Sequence, residues 1–347
     1  MRWYAVESID EAVDAARSFL LPVEAGRWLR LALIALFVGV GGGGTSMLSN
    51  SVSIPANMPA EPASQQPIVT PPEPSLEALP VDPILVAMVI GAVVLVVLGL
   101  LLLSETLRLV LYDALRTDTV RIRGPARRRF GQAVRLFGFK LAVNIAFALP
   151  FVVVGAAIAL TSVDIGRTLL LAGVLLAAVV VPLSFIGYLI VMRVTTEFVT
   201  PVMVLTDSGV IAGWRRFWPV LRTDLAQFGV YVVIHFLLLL AISIGQSIIM
   251  VVLLGIIGTV GLLVGLLVAL GVFGGLNAAL ASTVGAIVVG AIVLLTVLLA
   301  VVVSLPIKIV VLTYVFSYEL SVLGAADEEL RLLPTVDGSE GHSGSTV

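Results

Sequence analysis

Residues 227–307 read QFGVYVVIHFLLLLAISIGQSIIMVVLLGIIGTVGLLVGLLVALGVFGGLNAALASTVGAIVVGAIVLLTVLLAVVVSLPI, and they contain no Asp, Glu, Lys or Arg. About 20 apolar residues cross a hydrocarbon core of about 30 Å, so this stretch has room for two to four crossings. Across the whole chain 12% of the 347 residues are charged, 59% are hydrophobic and the mean hydropathy is +1.15. Soluble domains are about a quarter charged. The sequence therefore predicts an all-α, polytopic transmembrane helical bundle.

The same length rule predicts about six spans, arranged as three hairpins. They lie at about 29–48, 84–103, 141–160, 169–192, 228–250 and 284–305. The glycine-rich residues 251–277 are open to three interpretations: a re-entrant hairpin, a kinked extension of their neighbours, or an extra pair of short spans. Gly261 and Gly265 have the four-residue spacing that lets helix backbones approach closely, as do Gly271 and Gly275.

Three regions complete the domain organisation. Residues 1–330 form a single membrane domain. The loop at 49–82 carries eight prolines, four carboxylates and no basic residue, which predicts a solvated, external arm. The tail at 331–347 ends in a Gly- and Ser-rich segment and is predicted to be disordered.

Orientation follows from the basic residues, which resist translocation and mark the cytoplasmic side. With six spans, nineteen of the 20 Lys and Arg residues fall on one side, and only Arg167 falls on the other. We therefore expect a multi-pass protein of the cell membrane with both termini in the cytoplasm. An odd number of crossings would place the C-terminus outside.

A threefold pattern accompanies the hairpins. Each outward span follows an Arg and aromatic segment, and each inward span ends in a hydroxyl and carboxylate segment. The former are Arg17-Ser18-Phe19, Arg128-Arg129-Phe130 and Arg215-Arg216-Phe217, and the latter are Ser104-Glu105-Thr106, Thr196-Glu197 and Ser317-Tyr318-Glu319. Internal duplication and convergent anchoring at the membrane boundary both explain this pattern.

Two segments outside the spans are predicted to lie along the membrane surface. The first begins at the capping box Ser8-Ile9-Asp10-Glu11. The second, at 210–221, gathers its aromatic residues on one helical face and its arginines on the opposite face. A structural anchor and a specific lipid site are both consistent with this pattern. The candidate lipid-headgroup contacts are Arg128, Arg129, Trp214, Arg215, Arg216 and Trp218.

Few groups inside the spans could support chemistry. His235, Asn144, Gln246 and Asn277 are the strongly polar residues there, and each such group in a bilayer is a functional candidate. We expect His235 to bond a carbonyl of a neighbouring helix, and we expect no carboxylates that face one another within the spans. Glu105 and Glu197 are predicted to form ion pairs with nearby arginines at the cytoplasmic rim.

Cysteine and histidine content narrows the function classes. The chain has no cysteine and two histidines, which lie far apart in the sequence. Disulfides, thiol catalysis and cysteine-ligated metals are therefore excluded, and the sequence predicts no metal site, no cofactor and no catalytic residue. Nucleic-acid binding is not expected, because no recognition motif accompanies the arginines.

Two stretches resemble a known family. They are residues 8–17 leading to Arg27-Trp28-Leu29-Arg30, and residues 197–203 leading to Gly213-Trp214-Arg215-Arg216-Phe217-Trp218. Both resemble an uncharacterised family of haloarchaeal integral membrane proteins of unknown function. More distantly, they are similar to the membrane domain attached to some glycerophosphodiester phosphodiesterases. This resemblance implies the membrane architecture and no catalytic residues.

The leading functional hypothesis is a non-enzymatic membrane protein that acts through its basic surface helices. These helices would organise membrane lipids, anionic lipids among them, or bind a partner. That partner could be another membrane protein or a second copy of the chain. The alternative is a permease or lipid-transporter subunit with a route along the glycine-rich insert. An intramembrane enzyme is the third hypothesis, and the lack of paired catalytic groups argues against it.

The predicted topology can be tested on single-cysteine variants, because the natural chain has no cysteine to interfere. Ser64→Cys in the external loop should react with a membrane-impermeant maleimide in intact cells. Ser343→Cys in the tail should react only after the cells are permeabilised. Labelling of both variants in intact cells would instead require an odd number of crossings.

Overall fold

The computed structural model describes residues 4–41, 83–160 and 167–333. Within these ranges the chain is almost entirely helical and has no strand, which confirms the all-α prediction. The predicted external loop, the end of the first predicted span at 42–48, and the tail from residue 334 lie outside the described residues.

The helices are α1 (Tyr4–Leu20), α2 (Ala25–Gly41), α3 (Pro83–Thr117), α4 (Arg123–Leu160), α5 (Arg167–Val194), α6 (Thr200–Thr206), α7 (Val210–Thr223), α8 (Leu225–Phe273), α9 (Leu276–Ala281) and α10 (Thr283–Ala326). A π-helix, Thr195–Val199, joins α5 to α6. Five described helices are long and apolar enough to cross a membrane: α3, α4, the α5 to α6 segment, α8 and α10. The first predicted span begins in α2 and continues beyond the described residues.

The glycine-rich insert extends the fifth span. Helix α8 runs without a break to Phe273, and the chain then turns at Gly274 and Gly275, which both have positive φ. At 1.5 Å per residue, the 49 residues of α8 span about 74 Å, more than twice the hydrocarbon thickness. The hairpin of α8 and α10 therefore extends beyond the hydrocarbon core. Sequence alone left the structure of residues 251–277 open, because a glycine weakens a helix by only about 1 kcal/mol and does not end it.

The bundle is packed at one end and open at the other. We call the packed end, which carries α1, α7 and the starts of α2, α4 and α8, the basic side. Here α1 packs against α10 and α8, and the core contains Leu107, Tyr112, Val199, Met203, Phe217 and Tyr318. Toward the other end large apolar side chains point outward, as Leu95 and Leu267 do at 71% and 70% exposure. These faces are suited to lipid contact, because hydrocarbon is as apolar as they are.

Two glycines allow close helix approach. A Cβ on Gly213 would contact Val199 and Met203 at 3.0 and 3.1 Å, so Gly213 lets α7 lie directly on the π-helix and α6. A Cβ on Gly261 would overlap the side chain of Thr296, which brings α8 and α10 together. Gly271 has open space at the corresponding position. Close packing therefore occurs at the first of the two predicted glycine pairs.

We expect Gly261→Ala to destabilise the protein by about 1–3 kcal/mol, because the β-branched Thr296 cannot move away from the added methyl group without strain. Gly258→Ala, one turn earlier on α8 and facing open space, is the matched control and should be neutral or slightly stabilising. Thermal unfolding in detergent would measure both, and Thr296→Ala should rescue Gly261→Ala. Equal behaviour of the two alanine variants would contradict the close approach.

Candidate functional site

Three ionisable side chains from three segments meet at the basic side. They are Glu197 of the π-helix, His235 of α8 and Glu319 of α10, and all three are buried. One ligand atom from each lies within 4.8 Å of the others. We call this group the Glu-His-Glu centre.

Glu197 is held in place by the local backbone. Proline at position 201 lacks an amide hydrogen and would clash with the carbonyl four residues earlier in a regular α-helix, and the wider π-helix just before it relieves that conflict. Arg193, one turn earlier, lies 3.0 Å from the Glu197 carboxylate. The Tyr231 hydroxyl donates a second hydrogen bond at 2.8 Å. Short π-helical segments are frequent at functional sites.

Tyrosines connect the other two members of the centre. The Tyr231 hydroxyl also contacts Nδ1 of His235, which lies 3.8 Å from Glu197. The Tyr112 hydroxyl of α3 donates to Glu319 at 2.9 Å. Tyr318 lies against Tyr231 and His235, and its hydroxyl donates to the backbone carbonyl of Ala5, so α1 closes over the centre. Four helices and the π-helix thus contribute to one polar cluster.

A second buried ion pair lies one helix away. Lys140 of α4 donates to Glu105 of α3 at 2.7 Å, and both side chains are at most 8% exposed. Arg108 lies 3.9 Å from the same carboxylate and over the ring of Phe316. These contacts join α3, α4 and α10 through charge and aromatic packing.

The structure changes the predicted picture of the spans. Glu105 and Glu197 do lie beside basic side chains, but both are buried within the protein. His235 contacts the Tyr231 hydroxyl rather than a helix carbonyl. Glu197 and Glu319, which lie beyond the ends of the predicted fourth and sixth spans, meet at His235. Periodicity within each span could not show this, since the three residues come from three different helical segments.

Glu319 was missing from the predicted site residues. The signal that could have found it was the threefold pattern, because Glu105, Glu197 and Glu319 occupy corresponding ends of the three inward spans. Asn144 bonds Tyr188 and the carbonyl of Lys140, away from the centre.

The predicted lipid contacts divide into two groups. Arg129 is 2% exposed and bonds Asp113 and Asp207, so it is a structural residue. Three more of the predicted contacts bond partners within the protein. Arg128 pairs with Asp113, Arg216 pairs with Asp327 and Glu329, and the Trp214 indole donates to the Thr195 hydroxyl. Arg215 and Trp218 are exposed.

Only part of the predicted aromatic face of α7 packs against the protein. Phe217 is fully buried and stacks on Phe198 with ring centroids 5.1 Å apart. The opposite face exposes Ile211, Arg215, Trp218 and Arg222, and Arg222 lies over the Trp218 ring. A helical wheel identifies the apolar face of a helix, but it cannot tell whether protein or lipid covers that face.

An arginine-lined cleft opens at the start of α4. Its volume is about 540 Å³, and it is lined by Arg30, Arg121, Ile122, Arg123 and Gly124. Arg30 is oriented by a 3.0 Å hydrogen bond to the carbonyl of Val120. In the described part of the chain, neither Arg121 nor Arg123 pairs with a carboxylate. The sequence analysis assigned all three arginines to the basic face but did not bring them together.

Comparison with known proteins gives one match. The model of a family described as "Family of unknown function (DUF7544)" matches residues 3–333, nearly the whole chain. No curated protein and no protein of solved structure matches.

The buried Lys140 and Glu105 pair generates a stability prediction. We expect Glu105→Gln to lower the unfolding free energy by about 3–5 kcal/mol, because it leaves Lys140 charged and unpaired in the interior. Asp118→Asn, which removes a carboxylate from the exposed pair with Arg27, should cost at most about 1 kcal/mol. Thermal unfolding in detergent measures both, and Glu105→Gln combined with Lys140→Met should recover most of the loss. Equal effects of the two single variants would contradict the structural role of the buried pair.

Proposed function

The chain belongs to the DUF7544 family, whose function is unknown, and we propose that it is a non-enzymatic integral membrane protein that binds anionic lipid headgroups on its cytoplasmic face. The cleft lined by Arg30, Arg121 and Arg123 carries this proposal. Guanidinium groups bind phosphate oxygens bidentately. Three arginine residues border this one open cleft, a concentration that matches a phosphate-bearing headgroup better than the scattered arginines elsewhere on this face.

The position of the cleft supports a lipid as the ligand. Trp28 and Arg30 precede the apolar part of α2, which begins at Leu31, and tryptophan and arginine are typical of the boundary between hydrocarbon and headgroups. The first turn of α4 also faces the cleft through Arg123 and Gly124. The unpaired amides of a first turn carry partial positive charge, which adds to the attraction for an anion.

The exposed face of α7 supplies a second contact with the membrane. Ile211, Arg215, Trp218 and Arg222 form one continuous stripe with a helical spacing. Such a stripe inserts its apolar members among the headgroups while the arginines meet phosphates. Each basic residue near an anionic surface contributes about 1 kcal/mol. We propose that α7 holds the protein against the leaflet and that the cleft selects the headgroup.

The permease alternative is constrained by the packing of the insert at one place. Gly261 is closed by Thr296 and Gly265 lies against Ile292, so a route along α8 would have to pass beside the glycines that face open space, such as Gly258 and Gly271. The resemblance to haloarchaeal membrane proteins and to phosphodiesterase membrane domains remains a prediction. A phosphodiester headgroup as ligand is compatible with it.

The test removes the three cleft arginines. We expect Arg30→Gln, Arg121→Gln and Arg123→Gln together to weaken anionic lipid binding by about two orders of magnitude, since three charges contribute about 3 kcal/mol and 1.4 kcal/mol is tenfold. Native mass spectrometry of the full-length protein, titrated with phosphatidylglycerol or with phosphatidylcholine, measures the affinity. Soluble glycerol phosphate as competitor distinguishes a headgroup site from a site for free phosphate.

A charge-matched control separates the cleft from the general field of the protein. Arg17→Gln, Arg116→Gln and Arg127→Gln together remove the same charge from exposed positions outside the cleft and should weaken binding at most a few-fold. Equal losses in the two triple variants would mean that the attraction is diffuse. Unchanged binding in the cleft variant would overturn the proposal.

A further inference from the structure

We propose that Glu197, His235 and Glu319 bind one divalent first-row transition-metal ion, such as Mn²⁺ or Zn²⁺, inside the bundle. This site is separate from the lipid cleft and goes beyond the function proposed above. It rests on the geometry of the three side chains, an unpaired imidazole nitrogen, the hydrogen bonds around them and their charge balance.

The ligand atoms are already close to a binding arrangement. One ligand atom from each of the three residues lies within 4.8 Å of the others. A metal bonded at about 2.0–2.2 Å to nitrogen and oxygen ligands holds those atoms about 3–3.5 Å apart. Side-chain shifts of about 1 Å would therefore close the site around an ion.

His235 provides the independent observation. The side chain is fully buried, and its Nε2 has no hydrogen-bond partner among the described residues. Buried polar atoms are usually satisfied, so an unpaired one is unfavourable. An ion bound at Nε2 would satisfy that nitrogen, and Nδ1 would keep its contact with the Tyr231 hydroxyl.

The surrounding tyrosines have the arrangement expected around metal ligands. The Tyr231 hydroxyl contacts His235 and donates to Glu197, so it fixes the relative positions of these two side chains. Tyr112 does the same for Glu319 from α3. Metal-binding histidines and carboxylates are typically oriented by such partners, which also tune their affinity.

The charges leave room for a cation. Arg193 is the basic side chain paired with Glu197. Within the described ranges, Glu319 has no Lys or Arg at ion-pair distance, and its hydrogen bond comes from the neutral Tyr112. A buried carboxyl group without a counter-charge takes up a proton or binds a cation. A divalent ion shared by both carboxylates would replace such a proton.

The ligand types define the class of ion. An imidazole suits Zn²⁺ and its neighbours and carboxylates suit Mn²⁺, whereas Mg²⁺ and Ca²⁺ prefer oxygen ligands alone. Two carboxylates and one imidazole also leave coordination positions open for water.

The test uses the full-length protein purified without a polyhistidine tag. After EDTA treatment, equilibration with Mn²⁺ or Zn²⁺ and desalting, elemental analysis by mass spectrometry should find about one ion per chain. His235→Gln and Glu319→Gln should lower the affinity at least tenfold. The matched controls are His342→Gln, at the other histidine of the chain, and Glu329→Gln, at an exposed carboxylate, and both should retain the ion.

Pulsed electron paramagnetic resonance of the Mn²⁺-loaded His342→Gln variant makes the result independent of whether the site variants fold. His235 is then the only histidine, so coupling of Mn²⁺ to an imidazole nitrogen must arise from it. The proposal is overturned by any of three results: no ion bound above the level of the EDTA-treated protein, binding of Mg²⁺ or Ca²⁺ alone, or bound Mn²⁺ without imidazole coupling.

Discussion

A charged side chain buried between helices must find its counter-charge on another part of the protein, because neither hydrocarbon nor a protein interior solvates it. This constraint organises the basic side of the bundle. Glu105 draws α3 and α4 together through Lys140, and Glu197 is neutralised by Arg193 within its own segment. The pairing of Glu105 with Lys140 fixes the rotation of α3 and α4 about their axes, which apolar packing against lipid would leave free.

The division of the molecule into a packed end and a lipid-facing end follows from the placement of these groups. Where polar side chains occur, helices converge and α1 and α7 cover them. Where the helices are wholly apolar, lipid is as good a neighbour as protein, and close contact requires a small residue such as Gly261. The two candidate binding regions reflect this division. The arginine cleft is open at the surface of the basic side, and the Glu-His-Glu centre is enclosed.

The three carboxylates of the threefold pattern differ in environment. Glu105 is held by Lys140, Glu197 lies in a π-helix beside Arg193, and Glu319 is bonded by a tyrosine. Three equivalent ion pairs would suffice for a purely structural role. Glu319 instead has a neutral partner and lies next to His235, and this asymmetry is what distinguishes a candidate binding site from a set of structural ion pairs.

The sequence by itself determined the helical class and the positions of the long apolar helices, because the need to satisfy the backbone in hydrocarbon depends only on length and composition. It also identified Glu105, Glu197 and His235 as polar residues in apolar surroundings. Only the tertiary structure decided their partners. Glu197, His235 and Glu319 are separated by 38 and 84 positions along the chain, and no periodicity within a helix specifies how three helices are rotated toward one another. For the same reason, the sequence predicts which face of α7 is apolar, but not whether protein or lipid covers that face.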